Sequence, residues 1–583
     1  MGKLFTADFE TSTPSWLDKD EETRVWAYAL CEIGDPENFI YGNSIDDFIK
    51  WCSNKKCNFK LWFHNLKFDG EYIFYYLLNN GYTFVPDKKF AKDKTFTCLI
   101  NSLGQFYSIE IFFEVKKKKI NKVTIYDSLK ILNFSVDKIA KDFNLPIRKL
   151  NLDYDKYREV GHELTPEEID YIRNDVEIMA RALKILFDQG HTKMTIGSDA
   201  LADFKDGLKY FNKYFPVLDY EIDTEIRKSY KGGWTYLNPI YAEKRIKEGI
   251  VIDKNSMHPS HMYYDYLPFG QPMYFEGEYV KDVCYPLYVQ KLSCSFKIKK
   301  GKLPSIQLKN TFGFKANEYV ETTNGEIVTM TLTNIDVELL FSQYDVDDLV
   351  YHYGYKFKRI CGLFNSYIDK WTERKITAKK EGNGANYLIS KLFLNSLYGK
   401  FGLNPYVRGK YPVLTEEGNI SYELGEAEIR NSIYVPVASF ITAYSRYDII
   451  TTSQKIRDYS LEKYGEDYYI YSDTDSCHCK KMTREELATF LDIDTYRLGA
   501  WDLESEFKQA IFIRQKCYIE EGYDGKLNTT VAGLPKKLGK YLTLENFKKG
   551  FSVLSTDEEK DHKLMFKHTK GGVLLVDTDF TIK

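Results

Sequence analysis

In Tyr468-Tyr469-Ile470-Tyr471-Ser472-Asp473-Thr474-Asp475-Ser476, an aromatic and β-branched run ends in two carboxylates two residues apart. On a strand or tight hairpin, side chains i and i+2 leave the same face, so Asp473 and Asp475 are expected to point together and Thr474 away. Paired anions repel unless a cation sits between them, and Mg²⁺ is the hard, oxygen-loving ion that suits a site shared with phosphate. A lone pair of this kind also fits a hairpin turn with solvated carboxylates. Gly249 to Pro259 reads as a buried strand that delivers Asp253 at its end, the third carboxylate that a two-metal site with Asp473 and Asp475 requires. A helix cap is the other local reading of Asp253.

A second acid set lies in the first third. Leu4 to Glu10 reads as a strand with Asp8 and Glu10 on one face, and Asp69 closes Phe63-His64-Asn65-Leu66-Lys67-Phe68 just before the apolar run from Tyr72 to Leu78. Thr165-Pro166-Glu167-Glu168 opens a helix, with Thr165 as N-cap, Pro166 at the first helical position and Glu168 closing a capping box. Tyr171 and Asp175, four residues apart on that helix, share a face. Each acid alone reads as a cap or a surface group. Together with Tyr171 the set resembles that of proofreading 3′–5′ exonucleases, in which two Mg²⁺ activate a water and stabilise the leaving 3′ oxygen while the tyrosine orients that water.

The elements around these acids supply charge and aromatic surface. Asn386 to Phe401 has helical period, with Lys391, Asn395, Tyr398 and Gly402 in one stripe and Leu388, Leu392 and Phe393 packing the other side. That stripe suits a nucleoside triphosphate, Lys391 on the phosphates, Tyr398 against the base pair, and Gly399 and Gly402 leaving room for the bases. Arg514-Gln515-Lys516-Cys517-Tyr518 reads as a strand with Arg514, Lys516 and Tyr518 on one face, fitting backbone contacts to a primer end. In Tyr230-Lys231-Gly232-Gly233-Trp234 the glycines let amides approach a phosphate and the flanking rings stack, or the segment is a plain turn. Lys116-Lys117-Lys118-Lys119 reads as a solvated hairpin tip, with a DNA contact as the other reading. Tyr266 to Gly362 turns to short strands with Gly and Pro punctuation, a β-rich insertion.

A chain of 583 residues is too long for one core, and 43% hydrophobic with 28% charged residues is the balance of a soluble, multidomain protein. The net charge of −3 requires any nucleic-acid groove to come from local sorting of the 81 basic residues. The 47 tyrosines suit stacking, although most pack core and surface. No apolar run reaches the ~18 residues that span a bilayer, and the chain opens directly into a strand-like segment, with no secretory signal expected. Met1-Gly2-Lys3-Leu4-Phe5-Thr6 matches a myristoylation pattern only formally. The ten cysteines are scattered, and Cys52/Cys57 and Cys477/Cys479 lack zinc spacing, so reduced thiols are expected.

In order, DFETST, FHNLKFDG, YIRND, YKGGW, DKNSMHPS, KLFLNSLYGKF, YSDTDS and RQKCY resemble the motifs of protein-primed family B DNA polymerases of bacteriophages, over essentially the whole chain. The resemblance implies an α/β and α+β multidomain fold: a ribonuclease H-like 3′–5′ exonuclease domain at 1–190, then a right-hand polymerase. Its parts would be a first palm segment at 191–264, fingers at 363–402, a second palm segment at 435–533 and a thumb at 534–583. Two family insertions would be 265–362, contacting the terminal protein and DNA, and 403–434, a hairpin helping to encircle the template for processive, strand-displacing synthesis. By motif, Lys149 would assist the exonuclease reaction, and Thr11, Asn65, Phe68, Ser128, Leu129 and Tyr154 would grip the single-stranded 3′ end. Tyr230, Gly232, Gly233, Lys516 and Tyr518 would contact DNA, and His258, Lys375, Lys391, Asn395 and Tyr398 the incoming nucleotide. The implied metal residues are Asp8, Glu10, Asp69 and Asp175 in one site and Asp253, Lys254, Asp473 and Asp475 in the other, each with two Mg²⁺ for which Mn²⁺ substitutes. Primer-template DNA, deoxynucleoside triphosphates and a terminal protein primer are the implied partners of a monomer in the cytoplasm of an infected bacterial host, with no membrane.

Two features depart from the pattern. The family's ribose-excluding tyrosine is His258 here, a ring whose charge would touch the triphosphate near pH 6.5, unless His258 merely caps the helix after it. The segment between Lys375 and Lys391 is also longer than the family pattern. Two other readings remain on sequence alone: an exonuclease with a polymerase-like DNA-binding scaffold, and a module that docks a terminal protein. The intact triad of acids speaks against the scaffold.

Overall fold

The computed structural model describes residues 3–16, 22–54, 58–116, 119–308, 318–534, 536–554, 563–577 and 579–583. Met1 and Gly2, Cys57, and Lys117 and Lys118 of the lysine run therefore lie outside the described residues, while Lys116 and Lys119 face each other at the end of an antiparallel strand pair.

The first unit is built on an eight-stranded mixed sheet. Strand Leu4–Thr11 lies inside it, antiparallel to Val25–Glu32 and parallel to Phe59–Phe63. Alternation sorts its side chains. Phe5, Ala7 and Phe9 enter a core shared with Ile73, Phe74 and Leu77 of helix Leu66–Asn79. Thr6 points the opposite way, towards helix Pro166–Asp188, and its hydroxyl donates to the Val176 carbonyl at 2.7 Å. That helix starts with the expected capping box between Thr165 and Glu168, which fixes its first turn and so the placement of Tyr171 and Asp175.

The second unit centres on strand Arg245–Lys254, flanked antiparallel by Ser476–Lys480 and Trp501–Arg514 in a seven-stranded sheet. Asp253 pairs with Ser476 on one side and Asp502 on the other. The thirty-residue helix Val435–Tyr464 backs this sheet, with Ser453 and Ser472 sharing a hydrogen bond at 3.0 Å. Above it stand two helices, Asn365–Lys380 and Gly384–Phe401, so the segment between Lys375 and Lys391 is a helix end, a short turn and a helix start. Within 265–362, four strands and helix Asn334–Gln343 make a separate sheet.

Two hairpins reach back to the first unit. Tyr406–Leu414 and Ile420–Ile429 form one, joined by a turn with Gly418 at φ +82°. It is moored by the Tyr411 ring stacked on Phe84 at 4.8 Å and by Ile420 buried in the first unit's core. The other, Lys563–Thr569 with Gly572–Asp577, inserts Val573 into the same core, where the Tyr72 hydroxyl donates to the Val573 carbonyl.

Two local expectations are corrected. Trp234 does not offer a stacking face: it is fully buried, and its indole N–H donates to the Pro304 carbonyl at 3.0 Å. Arg514 to Tyr518 is not one strand. The first strand ends at Arg514, Lys516 takes φ +53° in a turn, and the next strand begins at Cys517, so the two-residue alternation is broken between Arg514 and Tyr518.

Candidate active sites

The carboxylates of Asp8, Glu10 and Asp175 converge, with ligand oxygens all within 4.8 Å of one another. Asp69, buried in the first turn of helix Leu66–Asn79, adds a fourth acid, which feels the charge of Asp8. Burial and then Asp175 push the Asp8 carboxyl up to about 7, against the pull of Lys149. Glu10, Asp69 and Asp175 are also raised, burial first in each case, with neighbouring acids adding for Glu10 and Asp69. Asp69 Oδ1 and Asp175 Oδ1 are buried with no hydrogen-bond donor among the described residues. Mutually repelling acids with orphaned oxygens are a donor set that fits a hard divalent cation.

Around this cluster Lys149 pairs with Asp175, and the Tyr171 and Tyr154 hydroxyls share a hydrogen bond. Burial and Glu10 raise Tyr171, which keeps it a phenol able to donate. Asn65 (φ +77°) and Leu129 are held by their backbone N–H groups on the buried Asp127, at 3.1 and 3.0 Å. Sequence reasoning passed over Asp127. Phe68 stands 6.0 Å from the Phe566 ring of the terminal hairpin, and Thr11 accepts the Trp26 indole on its carbonyl at 3.2 Å. Ser128 is fully buried, its hydroxyl spent on the Phe63 carbonyl at 2.9 Å and on His64, so its side chain does not face the cleft as expected.

The second cluster lines a cavity of about 550 Å³ between the central sheet and helix Gly384–Phe401. Asp253, Asp475 and Glu504 mark one side, and Lys375, Lys391, Asn395 and Tyr398 the other. Asp253 is raised to about 8 by burial, then by Asp475 and Glu504, and Lys391 offsets part of this. Asp475 is raised by burial and by repulsion from Asp473 and Glu504. Glu504 was missed because its strand slips register at Val251/Ile252, where it faces the Asp253 strand, and no local pattern marks that slip.

Asp473 does not join the cavity. Its strand ends there, and Thr474 at φ +64° breaks the alternation that would have aligned Asp473 with Asp475. Both Asp473 oxygens instead meet the Lys516 ammonium at 2.7 and 2.6 Å. Lys254 also lines the cavity, and its side chain pairs with Asp448 beside the Trp501 ring. Gly233 abuts the Thr474 side chain, where a Cβ would come within 2.7 Å, and Gly402 likewise leaves 2.6 Å to Tyr230. The Lys231 and Gly232 carbonyls accept from Arg446 at 2.9 and 3.1 Å. The Tyr518 ring stacks on Phe512 at 5.1 Å.

His258 is the second residue of helix Met257–Tyr264 and does not cap it, since Ser256 is the N-cap. Its ring lies flat on Tyr398, centroids 4.2 Å apart and planes 2° from parallel. Burial and then His261 push it down to about 4, so it is neutral near pH 6.5, contrary to the charge expected from the sequence.

A model of the family described as DNA polymerase type B, organellar and viral, matches residues 51–490. The chain belongs to that family, in its protein-primed phage branch, and is a DNA-directed DNA polymerase. The DNA polymerases of Bacillus phage Nf and Bacillus phage phi29 are each 43% identical to it, over 600 and 602 residues, covering 100% of this chain and 100% and 99% of theirs. That of Streptococcus phage Cp-1 is 31% identical over 612 residues, covering 100% of this chain and 99% of the relative. The solved structure of phi29 DNA polymerase complexed with primer-template DNA and incoming nucleotide substrates matches at a TM-score of 0.91 and 42% identity, covering 100% of both chains.

Proposed function

We propose that the cavity between Asp253, Asp475 and Lys391 is the nucleotidyl-transfer site and that the Asp8, Glu10, Asp69 and Asp175 cluster is a 3′–5′ proofreading nuclease. The observation that carries the first assignment is the cavity's polarity, acids facing lysines across a space of nucleotide size. Lys375 and Lys391 bind and orient the phosphates, Asn395 adds a polar contact, and Tyr398 on His258 gives a flat floor under sugar and base. Asp253 and Asp475 would hold divalent metal, two Mg²⁺ in each site with Mn²⁺ as substitute, which when bound supplies charge neutralisation on phosphate oxygens. In the nuclease, Tyr171 orients a water by donation and Lys149 fixes Asp175.

Primer-template DNA and deoxynucleoside triphosphates are the substrates, a terminal protein on the 265–362 insertion primes, and the enzyme works as a monomer in the cytoplasm of an infected bacterium. No described helix is long and apolar enough to cross a membrane. Extension of a primed circle with Mg²⁺, and initiation only with added terminal protein, tests this reading. Degradation without extension would leave a nuclease on a DNA-binding scaffold.

Replacing 404–434 by a short Gly-Ser turn is expected to leave gap filling intact and stop synthesis at a downstream duplex, because the segment is a hairpin moored on the nuclease unit with no acid of either site in it. Displacement assays on gapped and nicked circles check this, and long displacement products from the shortened protein would contradict it.

His258→Ala removes the flat floor beneath Tyr398 and is expected to lower discrimination against ribonucleotides by ~1–3 kcal/mol, with His258→Tyr keeping it. Because His258 stays neutral well above its lowered pKa of about 4, the preference should be flat from about pH 6 to 8. Single-nucleotide incorporation of matched ribo- and deoxynucleotides measures both effects.

A further inference from the structure

We propose that Arg374, Gln189, Asn386 and Asn144 are positioning residues for the incoming nucleotide. They fasten the tip of the helix pair Asn365–Lys380 and Gly384–Phe401 to the nuclease unit, and so set where Lys375 and Lys391 stand over the cavity. This role rests on reading that cavity as the nucleotidyl-transfer site.

The segment between Lys375 and Lys391 that is long in the sequence is this tip. The first helix ends at Lys380, the chain turns through Gly382 at φ +68°, and Asn383 caps the second helix by accepting the Asn386 N–H at 3.0 Å. The turn lies against the first unit at two points. Asn144 Nδ2 donates to the Gly382 carbonyl at 3.1 Å, and a Cβ on Gly384 would come within 1.8 Å of the Asp142 carbonyl oxygen. The two backbones therefore meet with no room for a side chain. Beside them three side chains close a ring of hydrogen bonds. One Arg374 nitrogen donates to Asn386 Oδ1 at 2.8 Å and also to Gln189 Oε1, while Gln189 Nε2 donates to Asn386 Oδ1 at 3.1 Å.

Each fastening joins an element of one site to an element of the other. Gln189 is the C-cap of helix Pro166–Asp188, which carries Tyr171 and Asp175, and Asn144 lies on the segment that leads to Lys149, the partner of Asp175. On the other side, Arg374 directly precedes Lys375, and Asn386 opens the helix of Lys391, Asn395 and Tyr398. Further from the tip the pair is held by its rings: Phe393 lies 4.5 Å from His191, and the Trp371 indole donates to Asp203 at 2.9 Å. The ties at the tip thus decide whether the outer end of the pair stays over the cavity. With the tip docked, the cavity already has the size of a nucleotide, about 550 Å³. Fastening therefore orders the two lysines before the triphosphate arrives and removes that cost from binding.

The test uses the full chain. Gln189→Ala opens the ring, and Gly384→Ala wedges the tip away from Asp142 while placing a good helix former in the helix. Each is expected to raise the deoxynucleotide KM about three- to tenfold, the scale of one or two hydrogen bonds. Primer-template affinity, the single-turnover rate at saturating nucleotide and single-strand degradation should stay unchanged. Gln189→Glu, which keeps an acceptor for Arg374, should hold KM near that of the unaltered protein. Lys375→Met raises KM by itself, and Gln189→Ala added to it should raise KM by a smaller factor than it does alone, because the ring acts through that lysine. An unchanged or lowered KM in either Gln189→Ala or Gly384→Ala, or an equal factor in the Lys375→Met background, overturns the proposal. If Lys375→Met itself leaves KM unchanged, the cavity assignment fails and the positioning role falls with it.

Discussion

Asp475→Ala is expected to lower nucleotide addition by at least ~10³-fold, the loss of several kcal/mol of phosphate charge stabilisation, while single-strand degradation continues. Asp475 lines the nucleotide cavity on the same side as Asp253, while the Asp8 cluster is built on a different sheet. Alanine removes a carboxylate that burial and its neighbours already push towards protonation, so the substitution relieves repulsion and should not unfold the second unit. Primer extension and release of labelled 3′ nucleotides, measured on the same preparation, check the result. A folded variant that had lost both activities would refute the division into two sites.

Asp8→Ala is expected to have the mirror effect, degradation falling by ~10³-fold and extension unaffected on correctly paired primers. A pH effect accompanies it in the unaltered protein. Asp8 titrates at about 7, so below that pH a cation must displace its proton. The raised value means the neutral form dominates on the acid side, and the Mg²⁺ concentration needed for half-maximal degradation should therefore rise as pH falls from about 8 to 6. An Mg²⁺ requirement that stayed constant over this range would show that Asp8 is already ionised.

The parts that were legible in the sequence are those set by neighbours in the chain. Thr165, Pro166 and Glu168 specify a helix start through contacts within three residues, and the structure has that cap. The stripe of Lys391, Asn395 and Tyr398 follows from helical period alone, and all three line the cavity. The misreadings come from partners far away in the chain. Trp234 resembles a stacking residue until Pro304 takes its N–H, and nothing within the glycine pair announces that acceptor. Lys516 carries no glycine or asparagine signal for a left-handed turn, so a turn was read as a strand. Asp473 obeyed the two-residue rule only until Thr474 left the β region. His258 was assigned its free-solution charge because burial beside Tyr398 and His261 is a tertiary fact.

The hydrogen bond from Tyr72 to Val573 joins residues 501 positions apart, and its timing on the ribosome follows from that number. At ~5–20 residues per second, roughly 25–100 s pass between synthesis of the two partners. Once the chain has passed Asp188, the first unit has its sheet and helices but an apolar notch where Val573 will sit beside Tyr72. Nascent chains paused in the last third carry that notch open, as does any chain cut short of residue 573, and it is the surface on which chaperones and unwanted partners compete before the C-terminal strand arrives.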